Sequence, residues 1–88
     1  MKNQKHIPRL IRISQVLAVV PMCRSWIYHQ VQKGLFPPPV AIGARAVAWI
    51  DAEVDQVMDA KVAGKNEAEI QVLVTELVAA RATTGGAQ

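Results

Sequence analysis

The sequence predicts a mostly α-helical domain that carries one small β-hairpin and ends in an additional amphipathic helix. Three observations support this prediction. The first two helical segments are separated only by Pro21, Met22 and Cys23, a spacing that fits a helix-turn-helix. Two apolar runs flank a three-residue segment that contains glycine, which is typical of a hairpin. A chain of 88 residues has room for one small hydrophobic core, so these elements form one domain.

The first helix follows a short extended stretch. Basic and apolar residues alternate imperfectly from Arg9 to Ile13, which favours a strand-like lead-in. We expect Ser14 to cap the helix, because its hydroxyl can accept a backbone N–H of the first turn. The helix ends at Pro21, since the residue before a proline is displaced from the helical conformation. Its apolar residues at helical spacing are Val16, Leu17 and Val20.

The second helix is predicted from Arg24 to Lys33 and ends at Gly34, which readily adopts the left-handed conformation. Ile27 and Val31 lie four residues apart and therefore share a buried face. The rest of its circumference carries hydrogen-bonding and cationic side chains and no acid. These are Ser25, His29 and Gln32 opposite the buried face, with Arg24 and Tyr28 on one flank and Trp26 and Lys33 on the other.

The hairpin and two further helices complete the chain. Val40–Ile42 and Ala46–Trp49 flank the segment Gly43–Arg45, which places Arg45 at the tip. Asp51 is expected to cap the third helix, which ends at a glycine. The apolar stripe of that helix contains Val54, Val57, Met58 and Val62, and Gly64 closes it. A near-complete capping box predicts the start of the fourth helix, and the residues concerned are Asn66 to Glu69. Its stripe contains Ile70, Leu73, Val74, Leu77 and Val78.

The composition excludes several classes of protein. Hydrophobic residues make up 51% of the chain, too many for intrinsic disorder. The longest uncharged stretches, Ile13–Cys23 and Gly34–Ala44, contain proline and are far shorter than the roughly 20 residues of a membrane span. The N-terminal residues lack the apolar segment of an export signal. One cysteine and two histidines allow no internal disulfide and no Cys/His zinc cluster. We expect a soluble, cytoplasmic protein with no metal and no other cofactor.

Charge is divided unevenly along the chain. Residues 1–50 contain seven cations and no acid, whereas residues 51–88 contain seven acids and three cations, so the two parts carry +7 and −4 within the net charge of +3. A surface kept free of carboxylates favours binding to a polyanion, of which nucleic acid is the commonest. The alternative is random variation in a short chain.

Five fragments, taken in chain order, carry a resemblance to a known family. They are Arg9–Ile13 with Val16-Leu17, Arg24-Ser25 with Ile27-Tyr28, Gly34–Pro37, Ile42–Trp49 and Glu53-Val54. Together they resemble the AlpA-type prophage regulators, which are related to phage excisionases and to the DNA-binding part of MerR-type regulators. The resemblance implies a winged helix-turn-helix that binds double-stranded DNA to control transcription. The expected regions are a flexible basic arm, the winged helix-turn-helix, a C-terminal helix and a disordered tail, at residues 1–7, 8–63, 65–82 and 83–88.

The resemblance places Arg24, Ser25 and Tyr28 on a recognition helix that meets DNA, and it places Arg45 in the wing. By its chemistry Arg24 can bind guanine through two hydrogen bonds, Gln32 can bind adenine in the same way, and Ser25 can contact a base or a phosphate. Arg45 can enter the minor groove or bind a phosphate. The residues expected at the DNA interface are Arg12, Arg24, Ser25, Tyr28, His29, Gln32, Lys33 and Arg45.

Three functions remain open from the sequence: a sequence-specific regulator of transcription, an excisionase that bends phage attachment sites, and an interaction module that oligomerises without binding DNA. An enzyme is not expected, because the chain contains no phosphate-binding glycine loop, no H-E-x-x-H and no G-x-S-x-G. Asp51, Asp55 and Asp59 recur every four residues. One helix ridge cannot enclose a cation, so we interpret them as a solvated acidic face.

The apolar stripe of the fourth helix has two interpretations. A lone module of this size buries only about 600–1,000 Å² on DNA, which favours dimers or cooperative arrays. The residues expected to join the copies are Ile70, Leu73, Val74 and Leu77. Equally, the helix can fold back on its own chain to complete a small core. We expect Trp26 and Trp49 to lie in the core rather than to stack on bases.

Overall fold

Four helices and three short strands form residues 9–85, which are the residues described by the computed structural model. They are β1 (Leu10–Ile11), α1 (Ile13–Val19), α2 (Arg24–Gln32), β2 (Val40–Ala41), β3 (Val47–Ile50), α3 (Asp51–Val62) and α4 (Glu67–Gly85). The predicted fold, mostly helical with a small hairpin, is confirmed and is compatible with a winged helix-turn-helix. The predicted arm at residues 1–7 and the last residues of the predicted tail, 86–88, lie outside the described residues.

The three strands form one antiparallel sheet with β3 in the centre, in the order β1-β3-β2. Leu10 pairs with Ile50 on one side, and Val40 pairs with Ala48 on the other. The hairpin between β2 and β3 therefore forms where the sequence predicts it. The lead-in strand β1 joins the hairpin across about half of the chain, a pairing that short-range patterns do not reveal.

The start of α1 differs from the prediction. The helix begins at Ile13, and Arg12 rather than Ser14 occupies the cap position. The backbone N–H of Arg12 donates to Oε1 of Gln15 at 2.9 Å, the glutamine half of a capping box. The expectation for Ser14 was wrong because Gln15, three residues after Arg12, stabilises the earlier start. Val16 and Val20 are buried as predicted.

The third helix requires two corrections. Asp51 is the first helical residue rather than the cap, and the cap position belongs to Ile50 at the end of β3. The backbone N–H of Asp51 donates to the carbonyl oxygen of Arg9 at 2.8 Å, which extends the pairing of β1 with β3 into the helix. Val62, predicted in the apolar stripe, is 87% exposed. It ends the helix, and the chain turns away directly afterwards at Gly64, where φ is +84°.

The fourth helix begins with the predicted capping box. Asn66 Oδ1 accepts the backbone N–H of Glu69, and Glu69 Oε1 accepts the backbone N–H of Asn66, both at 2.9 Å. The helix packs on α3 and extends through Gly85. Residues 83–85, which we expected in the tail, are therefore helical, and the alanines that precede them are strong helix formers.

The core lies between the sheet and the four helices, and Trp49 is its largest member. Its indole Nε1–H donates to the carbonyl oxygen of Pro37 at 2.9 Å, and its ring meets Tyr28 edge to face, with 5.9 Å between the centroids. The prediction that Trp49 builds core is confirmed, and Trp26 is half-buried against it. The buried residues of this cluster are Ile11, Val16, Val20, Ile27, Leu35, Phe36, Trp49, Val54, Val57, Ile70 and Val74.

Candidate nucleic-acid interface

The second helix is presented at the surface by a tight turn after α1. Pro21 follows the last residues of α1, and the backbone N–H of Met22 donates to the carbonyl oxygen of Val20 at 2.7 Å. Cys23 occupies the cap position of α2, and its side chain makes no capping hydrogen bond. The carbonyl of Cys23 instead accepts the N–H of Ile27 at 3.2 Å, so the backbone alone defines the start of the helix.

The surface of α2 divides into two halves. Ile27 and Gln30 are buried, and Trp26 and Val31 are half-buried, so one half of the circumference faces the core. Successive helical residues lie about 100° apart around the axis, which places the remaining side chains on the opposite half. The exposed residues are Arg24, Ser25, Tyr28, His29, Gln32 and Lys33. Every residue of this stretch that the sequence predicts at the interface is therefore exposed, and no acid lies among them.

The tip of the hairpin carries a further exposed cation. The backbone N–H of Ile42 donates to the carbonyl oxygen of Ala46 at 2.9 Å, and this hydrogen bond closes the turn. Arg45 lies inside the turn and is exposed. The base of the hairpin is anchored in the core, because Pro37 is buried and its carbonyl accepts the Trp49 indole hydrogen bond.

Cations near the start of α1 differ in their surroundings. Arg12 is exposed beside the first turn of α1. Arg9 is also exposed, but its Nε lies 3.6 Å from Oδ2 of Asp51, so part of its charge is balanced by that carboxylate. Because a pair this open to water is weak, Arg9 still contributes to the positive charge of the chain before α3.

The acidic side chains belong to other elements. Four of the seven lie in α3 and three lie in α4, whereas α1, α2 and the hairpin contain none. One of them, Glu53, is buried and paired with Arg81. The elements that carry the candidate interface are therefore free of carboxylates, and an approaching phosphate meets no repulsive group within them.

Comparison with known proteins decides the family. Residues 9–62 match the family described as Prophage CP4-57 regulatory protein (AlpA). The chain belongs to the AlpA family. It is also similar to the uncharacterized protein ORF88 of Enterobacteria phage P4, with 39% identity over 57 residues, and the aligned part covers 65% of this chain and 65% of that protein. The predicted resemblance is confirmed. The description of the family is that of a regulatory protein.

The AlpA match ends with α3, so the fourth helix lies beyond it. Ile70 and Val74 are buried in the core of their own chain, and Leu73 and Leu77 are half-buried against it. These four residues are the ones that the sequence analysis expected to join copies of the protein. Their placement agrees with the other interpretation, in which the helix completes a small core.

Sequence reasoning missed three contacts that two side chains of α4 make with the AlpA region. The side-chain Nε2 of Gln71 donates to the carbonyl oxygen of Lys33 at 3.0 Å. Arg81 binds Glu53 and also donates from Nη2 to the carbonyl oxygen of Pro38 at 2.7 Å. The partners are separated by 28 to 43 residues, and no local pattern relates them. The one feature of the sequence that could have indicated these contacts is Arg81 itself, an arginine in an otherwise uncharged, alanine-rich segment.

Within residues 9–85, none of the four helices is both long enough and apolar enough to cross a membrane. In the same part of the chain, no three His, Cys, Asp or Glu side chains are grouped closely enough to hold a metal ion. Asp51, Asp55 and Asp59 thus form no such group with one another or with neighbouring acids of the described chain.

Proposed function

We propose that this AlpA-family protein is a sequence-specific regulator of transcription, of the prophage or mobile-element type, that binds double-stranded DNA. Helix α2 lies in the major groove, and the hairpin tip at Arg45 contacts the minor groove or a phosphate. The observation that carries the proposal is the exposed half of α2, where six polar, aromatic or cationic side chains stand together without an acid. The major groove of B-DNA admits one α-helix, so a helix of this kind can read base edges.

The positions of the side chains around α2 support a separate role for each of them. Ser25 and Gln32 lie near the middle of the exposed half, where they face the base edges. Arg24 lies at its margin in the first turn and is long enough to reach a guanine. Lys33, at the opposite margin, faces the phosphates. Tyr28 and His29 complete the face and contact the backbone or a thymine methyl group.

The first test is the selection of bound duplexes from a random pool, repeated with Arg24→Ala and Arg45→Ala. We expect Arg24→Ala to lose preference at one base pair, at a cost of about 1–3 kcal/mol. Arg45→Ala is expected to weaken binding to all sequences by a similar factor. The matched control is Lys65→Ala, which removes a cation that is also exposed, from the loop before α4. Unchanged binding by both arginine variants would contradict the assignment of these residues.

The salt dependence of affinity tests the phosphate contacts separately. If about five phosphates are neutralised, the logarithm of the association constant falls against the logarithm of the salt concentration with a slope of roughly −4 to −5. Arg45→Ala is expected to make the slope shallower by about 1. The absence of any salt-dependent binding to DNA would favour the interaction module that binds no DNA.

A further inference from the structure

We propose that α4 positions the two DNA-reading elements relative to each other, through Gln71 and Arg81, which we call the α4 clamp. The inference rests on the function proposed above, in which α2 and the hairpin contact one duplex together. It concerns a helix outside the AlpA match, which covers residues 9–62. Two side chains of this helix reach the two elements at defined points.

Arg81 joins the two ends of the hairpin. Its Nε lies 2.8 Å from Oε2 of Glu53, and its Nη2 contacts both Oε1 of Glu53 and the carbonyl oxygen of Pro38. Pro38 lies two residues before β2, and Glu53 lies in the first turn of α3, directly after β3. One guanidinium group therefore holds the segment that leads into the hairpin and the helix that leads out of it.

The contact with Pro38 goes beyond what the charge of Glu53 requires. The Glu53 side chain is only 7% exposed, so its carboxylate needs a partner, and the two hydrogen bonds from Arg81 supply one. The third hydrogen bond is directed to the backbone of the hairpin base. Residues 37–39 are all proline and have no N–H to donate, so hydrogen bonds can hold this segment only through its carbonyl oxygens. Trp49 binds one of these oxygens and Arg81 binds the next.

Gln71 holds the end of α2. Its amide donates to the carbonyl oxygen of Lys33, the residue that follows the last turn of α2. Carbonyl groups at the end of a helix have no partner within that helix, so a side chain from elsewhere stabilises this end. Gln71 and Arg81 are ten residues apart, which is about 15 Å along a rigid helix. The clamp thereby fixes the end of α2 at a set distance from the hairpin base.

The test uses the double variant Glu53→Gln/Arg81→Met, which removes the contact with Pro38 without leaving an unpaired carboxylate and without changing the net charge. We expect duplex affinity to fall about tenfold, the change that a lost contact of about 1.4 kcal/mol gives. In an Arg45→Ala background the same double variant should change affinity less than about twofold, because the hairpin contact is already lost. In an Arg24→Ala background the full effect should remain. Equal effects in both backgrounds would show general destabilisation and overturn the proposal.

Two further variants keep the inference testable if the double variant folds poorly. Arg81→Lys keeps the charge but cannot hold two carboxylate oxygens and a carbonyl in one plane, so an intermediate loss of affinity is expected. Gln71→Ala changes an exposed side chain and should weaken binding about threefold. Suppose that Arg45→Ala binds the duplex weakly but that Arg81→Lys and Gln71→Ala both bind it with wild-type affinity. That result would overturn the proposal.

Hydrogen exchange separates this inference from the proposed function, because it needs no DNA. The amide of Ile42, bonded across the hairpin turn to Ala46, should exchange faster in the double variant, while the amide of Val20, bonded to Val16 at the end of α1, should not change. An unchanged ratio of the two rates would overturn the clamp. If the wild-type chain binds no duplex, the proposed function fails, and this ratio alone decides whether α4 fixes the hairpin.

Discussion

The first and second halves of this small domain share one core but differ in the chemistry of their surfaces. Residues 9–50 contribute Val16, Ile27 and Trp49 to the core, and α3 and α4 contribute Val54 and Ile70 among others. The first half has no carboxylate at all, while all seven acids follow residue 50 and six of them, all but Glu53, lie at the surface. Stability therefore depends on both halves of the described chain, whereas the carboxylate-free surface that we propose for DNA binding is confined to the first half. Substitutions in the shared core and on the two surfaces should separate these contributions.

The largest effect is expected in the core that both halves share. Trp49→Ala removes a fully buried ring and its hydrogen bond to Pro37, and should lower the free energy of unfolding by about 3–5 kcal/mol. Because small domains are stable by only about 5–15 kcal/mol, the cooperative transition should move to a much lower temperature in thermal unfolding followed by circular dichroism. Val62→Ala, at an exposed position of α3, is the control and should change stability by less than about 0.5 kcal/mol. A cooperative, undisplaced transition in Trp49→Ala would contradict this account of the core.

A smaller effect should distinguish the two surfaces. Gln32→Ala on α2 and Gln56→Ala on α3 delete the same exposed side chain from the two halves. We expect Gln32→Ala to lose about 1–3 kcal/mol of discrimination at one base pair of a selected duplex, because an adenine contact is removed. Gln56→Ala should bind like the wild type. The comparison of Kd values for matched and mismatched duplexes measures this, and equal behaviour of the two variants would remove Gln32 from the interface.

The smallest effect concerns how helices begin in each half. Asn66→Ala removes the side chain that accepts the N–H of Glu69 and should cost about 1 kcal/mol, or about 4–8 °C in Tm. Ser14→Ala is the matched control in α1, because the structure places the cap at Arg12. Its Tm should remain the same or rise slightly, since alanine is the better helix former. A loss of stability in Ser14→Ala as large as in Asn66→Ala would contradict the observed start of α1.

These differences also show what could be predicted from the sequence. The capping box at Asn66, the left-handed Gly34 and the hairpin turn depend on residues within a few positions of each other, so local patterns were sufficient for them. The exposed face of α2 follows from the helical period once Ile27 is assigned to the core. The predicted cap of α1 was wrong because two local patterns compete there. Ser14 is a common capping residue, but the hydrogen bond between Arg12 and Gln15 starts the helix earlier.

The remaining features depend on residues that are distant in the sequence. The pairing of Leu10 with Ile50, the burial of Glu53 with Arg81 and the exposure of Val62 are decided by how whole elements pack. Gln30 illustrates the same limit within the interface helix, because its side-chain type favours the surface while its position faces the core. Periodicity assigns faces to a helix, but only the neighbouring elements decide which contacts those faces make.

The packing of α4 has a consequence for how this protein is divided in the laboratory. The similarity to the AlpA family stops at residue 62, whereas the buried cluster continues to Val74. A fragment cut at the homology boundary would expose the apolar surface that Ile70 and Val74 now cover, together with the carboxylate of Glu53. The matched region and the folding unit of this chain are therefore of different lengths, and a fragment made for expression should include the longer one.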